Sequence, residues 1–478
     1  MALAVPAVVR GELVEGPLVE FGGRGETGFA VADPAAVVPR LGTRNLALSR
    51  ELAALDLDDI LDYLAELGAR LVDNGHLDEA VEQSAGLADT PPGLVRSNYR
   101  LLPGLFTREA TEEVVAAIGR DVLTGWPERR MADGRTGAVR AFGVRSAHII
   151  AGNSPLIAAM TLVRTAVTRG EAVVKTPSND PLTMVALART MIDMAPGHPL
   201  TRAVSVAYWK GGDEALERRL YHPAAFDKIV AWGGMASVKH VTRYLGPGLE
   251  LVTFDPKQSA TVLGPEAFEP DALDDVARRL ALDVGAFNQV GCVNARVVYA
   301  VCDTGAAQDL ARRVHAELQA LPPTVSTPAG RVDTELRARL RALRTSGFHT
   351  VVGGRADEGA VIVSHLDEPV DFAGSLAGRV ANIVPVETAE DAARHLDAAT
   401  QTVGVYPAAL RHRLREVLPL VGVQRTVELG CAVSVHPALP QDGFEPARRL
   451  VRWVTDEHLP AGSDPLDIVF PPHREESP

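Results

Sequence analysis

The chain is expected to fold as an α/β protein with two doubly wound domains behind an N-terminal helical region. Three patterns predict it. Residues 147–175 carry a strand, a tight turn, a helix and a second strand, the order of a βαβ unit whose crossover is right-handed. The apolar strand 226–232 runs into Gly233-Gly234 and then a helix, where exposed N–H groups can meet an anion. Between 295 and 406, strands alternate with helices a second time.

Taken in order, residues up to 37 are rich in Gly and Pro and read as short strands and turns. From 45 to 71 the residues Leu46, Leu52, Ile60, Leu64, Leu67 and Leu71 recur at helical spacing, and 107–123 reads as helix too. Segment 137–144 is extended. After strand 147–151, Gly152-Asn153 turns the chain, Ser154 caps the next helix and Pro155 takes its first position, where a missing N–H costs nothing. Helix 156–168 ends at Gly170, before strand 172–175. Strand 226–232 and helix 235–245 follow, then strands 249–254 and 260–263, with a boundary at 265–270. Helix 272–282 leads to strand 295–301. Helices 306–321 and 334–343, strands 351–352, 361–363 and 383–386, helix 389–398 and strand 402–406 complete the second unit. The tail from Arg425 has two strand-like pieces and a helix, 446–455. This divides the chain into 1–135, 136–265, 266–424 and 425–478.

Composition narrows the function classes. The 478 residues exceed one compact core, and 46% hydrophobic with 23% charged residues is ordinary for a globular protein. A net charge of -13 argues against nucleic acid as a partner. Three cysteines, Cys292, Cys302 and Cys431, cannot make a disulfide framework and lack metal-site spacing, so no metal is expected and a reducing, cytoplasmic location is. The start, MALAVPAVVRGELVEG, has no basic leader pattern, and the apolar run 147–163 is broken by Gly152 to Pro155 and too short to span a membrane.

The chemistry centres on AFNQVGCVNARVVY, residues 286–299. Cys292 lies just ahead of a β-branched strand, among Asn288, Gln289 and Gly291. A lone cysteine is usually a buried, inert hydrophobe, but thiolate is also the strongest side-chain nucleophile near neutral pH. Here the local string decides. FNQVGC followed by Ala295-Arg296 resembles the active-site signature of the aldehyde dehydrogenase superfamily, and other pieces follow in that family's order. GNSP at 152–155 resembles its Asn-Phe-Pro turn, VVKTPSNDPLT from Val173 its Lys-Pro-Ser-Glu strand end, and WGG at 232–234 lies where it has Thr-Gly-Ser.

The resemblance covers roughly 140–405 and implies an aldehyde dehydrogenase-like fold, with 136–265 the Rossmann-like cofactor domain, 266–424 the catalytic domain, 1–135 packing on the cofactor domain and 425–478 a packing or oligomer contact. It implies Cys292 as nucleophile, Asn153 as side-chain oxyanion donor, Lys175 and Ser178 at the adenosine ribose, and Gly233 and Gly234 under the pyrophosphate. Thr253, Asn288 and Gln289 are the further active-site residues.

Two departures set the direction. The family's general base is a glutamate; anchored on Lys257, that position is Thr253, and no carboxylate stands near 379–381, where the family holds the nicotinamide ribose. An oxidising enzyme needs a base to activate water, whereas a thioester reductase does better without one. With GVxR-type residues at Gly422 to Arg425, the chain most resembles the acyl-CoA reductases related to the fatty-acid reductase of bacterial luminescence. That resemblance implies NADPH-dependent reduction of a long-chain acyl-CoA or acyl-carrier thioester to an aldehyde, with coenzyme A as the leaving moiety, an acyl-activating partner protein and a homo-oligomer. The alternatives are aldehyde oxidation with Glu250 as base, and a subunit that kept the fold without the chemistry. At position 178 the family's glutamate would repel a 2′-phosphate, and Ser178 does not, so NADPH is expected over NADH.

Overall fold

The structure, a computed structural model, describes residues 2–23, 27–84, 86–87, 90–328 and 333–466. The first α/β unit is a seven-stranded sheet. Its spatial order is Glu250–Phe254, Lys228–Trp232, Arg145–Ile149, Glu171–Lys175, Val204–Ala207, Ala7–Val9 and Glu12–Val14. The first five strands are parallel and the last two antiparallel. Within the parallel part, the chain starts with Arg145–Ile149, builds outward through Glu171–Lys175 and Val204–Ala207 towards the two N-terminal strands, then returns to build on the other side with Lys228–Trp232 and Glu250–Phe254. That reversal puts the switch point between Arg145–Ile149 and Lys228–Trp232, and ligands bind outside the carboxyl ends of strands at such a point.

The second sheet also has seven strands, in the order His349–Gly353, Ala360–Ser364, Val380–Val386, Ala295–Val301, Gln258–Leu263, Thr400–Tyr406 and Arg425–Glu428. All its pairs are parallel except the first. Its central strands are buried on both faces, as covered parallel sheets require, and the helices Leu273–Gly285 and Thr304–Ala320 bury Leu280, Val284, Leu310 and Val314 against it.

Several expected elements differ. The 45–71 helix is two, Leu46–Ala54 and Leu57–Arg70, because Asp56 stops the chain and caps the second helix through the amide of Asp58 at 2.8 Å. Their buried leucines share one core with Leu162 and Val163 of the first unit, and Ala7–Val9 and Glu12–Val14 extend its sheet, so the N-terminal region is woven into that unit. Gln258–Leu263 pairs in the second sheet, ahead of the boundary at 265, and Arg425–Glu428 joins that sheet across the boundary at 424. The helix at 389–398 shrinks to a 3-10 turn, Asp391–His395, closed by Asp391 and Thr388 and pinned by His395 stacking on Tyr299 at 5.3 Å.

The 446–455 helix stops after Pro446–Arg449, and Val451–His458 is a strand antiparallel to Thr136–Gly143. Val451, Trp453, Val454 and Thr455 favour the pleated surface, and the waiting edge of Thr136–Gly143 satisfies the backbone along its whole length. The Leu156–Val167 helix begins at the expected residue, but the roles of the two residues before it shift. Pro155 is its cap residue, and Ser154 Oγ accepts from the Leu156 amide at 3.3 Å. No helix among the described residues is long and apolar enough to cross a membrane.

Candidate active site

The carboxyl ends of the first sheet face the amino ends of the second, and the turns at both edges carry the candidate residues. On the first edge, Arg145–Ile149 leads into Gly152-Asn153 and Lys228–Trp232 into Gly233-Gly234. On the second edge, the cysteine loop feeds Ala295–Val301. One hydrogen bond spans the gap: Asn153 Nδ2 donates to the Val290 carbonyl at 3.2 Å, two residues before Cys292. The structure therefore brings Asn153 to the cysteine loop, with its amide engaged by the protein's own backbone.

The loop has an unusual backbone. Phe287, Asn288 and Gln289 are left-handed in succession, with φ of 53°, 57° and 61°. Each such non-glycine residue costs about 1–2 kcal/mol, so the turn persists only where other bonds dictate it. Those bonds are present. Gln289 is buried, donates to the carbonyls of Ala295 (3.0 Å) and Val380 (2.8 Å), and accepts from the Val380 amide (2.9 Å). Asn288 donates to Thr327 Oγ1 and accepts from Ser326 Oγ and the Thr327 amide. Both amide side chains thus hold the loop. Asn294, which sequence reasoning passed over, does the same: it accepts from the Gly291 amide at 3.0 Å and donates to the carbonyls of Asp283 and Ala286. A Cβ on Gly291 would stand 2.9 Å from Asn294 Oδ1, which is why glycine precedes the cysteine here.

Cys292 is partly exposed, and Ser259 Oγ donates to its carbonyl at 2.7 Å. Burial pushes the thiol above its ordinary value and the Asp442 carboxylate adds to this; Arg296 and a hydrogen bond from Gln401 act the other way. Gln401 Nε2 donates to Asp442, and Gln401 Oε1 is buried without a hydrogen-bond partner among the described residues. Asp442 is itself pushed up by burial. Neither Gln401 nor Asp442 was found from sequence, since they lie 109 and 150 positions from the cysteine and no motif links them. Of the other thiols, Cys302 follows the strand end and burial raises it to about 12, while Cys431 is exposed.

On the first edge, Lys175 ends its strand with Nζ 5.4 Å from the Tyr208 ring and 5.5 Å from the Trp209 ring. It makes no ion pair among the described residues, and burial lowers it to about 8. Ser178 lies half-buried three residues on. Gly233 has φ of 150°, which an L side chain rarely adopts, and a Cβ on Gly234 would meet nothing within 4 Å, so the start of the Met235–Thr242 helix is open. Below that helix, buried Glu217 grips His240 at 2.5 Å and Tyr244 at 2.9 Å, fixing its orientation.

Thr253 is half-buried near the carboxyl end of Glu250–Phe254, the end that faces the cleft. Glu250 opens the same strand, at the far end. Lys228 Nζ donates to it at 2.8 Å and Arg449 Nε at 3.0 Å, and these partners hold it below the usual range despite its partial burial. Glu250 as a general base is thereby corrected: three residues along a strand span about 10 Å, and its lone pairs are taken by cations.

The family model described as acyl-CoA reductase (LuxC) matches residues 52–453. The chain belongs to the LuxC acyl-CoA reductase family. Similar family proteins include the long-chain acyl-protein thioester reductases of Vibrio harveyi, 27% identical over 324 residues, and Aliivibrio fischeri, 28% identical over 318. These matches cover 67% and 65% of this chain, and 65% and 64% of those proteins, so a little under two thirds of the relatives' length is spanned. Among solved structures, aldehyde dehydrogenase 21 from Physcomitrella patens superposes with a TM-score of 0.73 at 14% identity, covering 97% of this chain and 100% of that one. The aldehyde dehydrogenase KauB from Pseudomonas aeruginosa gives 0.74 at 14%, covering 96% and 97%. An NADP-dependent glyceraldehyde-3-phosphate dehydrogenase from Bacillus halodurans C-125, complexed with NADP, gives 0.71 at 13%, covering 96% and 99%. The fold of the LuxC-family chain is that of the aldehyde dehydrogenases.

Proposed function

We propose that this protein reduces a long-chain acyl thioester to an aldehyde through an acyl-Cys292 intermediate, with NADPH as reductant. The observation that carries the reading is the meeting of the cysteine loop with the Asn153 turn at the switch-point edge of the first sheet, where the family's base position is Thr253. The relatives' names speak of acyl-protein thioesters, so the acyl group reaches Cys292 from a protein carrier or from coenzyme A. An acyl-activating partner protein and a homo-oligomeric, cytoplasmic enzyme belong to the same reading.

The first edge fits a phosphorylated dinucleotide. Lys175 offers an ammonium that makes no ion pair among the described residues, Ser178 brings no negative charge to the ribose, and Gly233-Gly234 leave room for a pyrophosphate at a helix start. Bound there, the nicotinamide would supply hydride. The remaining steps are the protein's own. The Cys292 thiol passes its proton to solvent, and the thiolate attacks the acyl carbonyl. Asn153 donates to the oxyanion, which collapses as the bond to the carrier sulfur breaks, and the carrier thiolate departs and takes up a proton from solvent. After hydride reaches the acyl-Cys292 carbonyl, the bond to the Cys292 sulfur breaks, releasing the aldehyde and restoring the thiolate. Water is not activated, because Thr253 offers no carboxylate and Glu250 is bound at the far end of its strand.

Thr253→Glu tests this reading. With acyl-protein and acyl-CoA substrates and NADPH, wild type should form aldehyde and little free acid, and the variant should raise acid release about tenfold or more. An unchanged product ratio in a folded variant would mean that position 253 does not reach the acyl-cysteine.

A further inference from the structure

A second cavity of about 440 Å³ lies away from the cysteine, among the Leu46–Ala54 helix, the amino ends of Arg145–Ile149 and Glu171–Lys175, and the Val451–His458 strand. Its volume is that of a small-molecule site. Five arginines line it, Arg44, Arg140, Arg145, Arg169 and Arg452, against two carboxylates, Glu171 and Asp227. This concentration of positive charge stands out in a chain of net charge -13.

The carboxylates are already committed. Asp227 takes Arg44 at 3.0 Å, Arg452 at 2.5 Å and the Arg145 amide at 2.9 Å. Glu171 accepts from Ser49 Oγ at 2.9 Å and lies 3.4 Å from Arg145 Nε, whose amino groups donate to the carbonyls of Leu41 and Ala225. Among the described residues the Arg169 side chain donates only to the carbonyls of Leu55 and Leu123. Arg140 makes neither a hydrogen bond nor an ion pair among the described residues, its Nε is buried, and its guanidinium lies 5.0 Å from the Phe142 ring. Burial and the neighbouring Arg140 both lower Arg169. The Asp56 carboxylate offsets part of this for Arg169 by its charge, without an ion pair or hydrogen bond to it among the described residues. Two adjacent half-buried guanidinium groups that no carboxylate directly pairs are unfavourable until an anion joins them.

The remaining wall is apolar: Leu46, Leu52, Leu123, Trp126 and Val454. A planar carboxylate suits guanidinium groups in bidentate fashion. A phosphate dianion would be opposed by Glu171 and Asp227 in the same wall. We propose that this cavity binds a small monocarboxylate bearing a short apolar chain, its head group on Arg140 and Arg169. It is separate from the catalytic cleft. Arg145 and Glu171 open the strands whose opposite ends face Cys292, and five residues of strand span roughly 13 Å.

Calorimetric titration of the full chain with octanoate, inorganic phosphate and octyltrimethylammonium tests the site. Octanoate should bind saturably to wild type and equally to Cys292→Ala, and at least about tenfold more weakly to Arg140→Gln. Leu46→Trp, at a position 69% exposed that can take a larger ring without disturbing the core, should weaken binding by filling the apolar end. Octanoate affinity unchanged in both cavity variants would overturn the assignment and place the ligand elsewhere, the catalytic cleft included. Equal binding of phosphate would mean an adventitious ion only, and equal binding of the cation would mean an apolar void indifferent to charge; either result overturns it.

Discussion

The cysteine loop at 286–294 and the turn at 233–234 belong to opposite edges of one cleft, yet the first is held by side chains and the second by glycine backbone. Three left-handed residues, three buried or half-buried amides and a tight glycine fix the loop ahead of Cys292. Opposite it, Gly233 supplies a backbone angle and Gly234 leaves space. On the proposed reading, a nucleophile needs one position relative to the acyl carbonyl, which an over-determined loop gives, and a dinucleotide brings its own hydrogen-bonding groups, which an open seat suits.

That contrast can be broken from either side. The largest effect should come from Cys292→Ala: aldehyde formation falls by roughly a thousandfold or more and acylation disappears, while NADPH binding measured by fluorescence persists. An acyl adduct on Cys302 or Cys431 would refute the assignment.

Gln289→Ala removes three hydrogen bonds and should cost about 3 kcal/mol, read as a lower denaturation midpoint, with activity lost as the loop relaxes. Gly234→Ala should leave the midpoint in place and weaken NADPH, since its Cβ enters only open space.

Ser178→Glu should swing kcat/KM toward NADH by about tenfold, because like charges near 4 Å cost on the order of 1 kcal/mol in water and more in a cleft. The smallest effect belongs to Asp442→Asn. The carboxylate adds to the upward push on the Cys292 thiol, so its removal should move the pH–rate curve of iodoacetamide alkylation to lower pH and raise the rate at pH 8 several-fold. Asparagine tolerates the left-handed backbone at 442, where φ is 53°, so the fold should hold.

Local patterns made the two sheets legible. Strands such as Ala295–Val301 are unbroken apolar runs, and the Gly152–Pro155 turn announces a strand-to-helix junction. What stayed hidden depends on distant pairing. Val451–His458 became a strand because Thr136–Gly143 offered an edge more than 300 residues earlier. Cys292 and Asn153 could be singled out as candidates because each sits in its own short string. Gln401 and Asp442 could not, because nothing near them in the chain marks the cysteine as their neighbour. Asn288 and Gln289 were legible as important, but their amides turn inward to the scaffold.

The bond from Asn153 to the Val290 carbonyl has a thermodynamic consequence. On the proposed reading, a substrate oxygen that takes the same one of the two Asn153 N–H donors must compete with that peptide carbonyl for it. If that bond is worth about 1 kcal/mol net, this N–H is free in roughly one molecule in six, and its share of oxyanion stabilisation is weakened by the same factor. A carrier protein or dinucleotide that separates the two sheet edges would restore it, so acylation would speed up on partner binding without any new contact to the acyl chain.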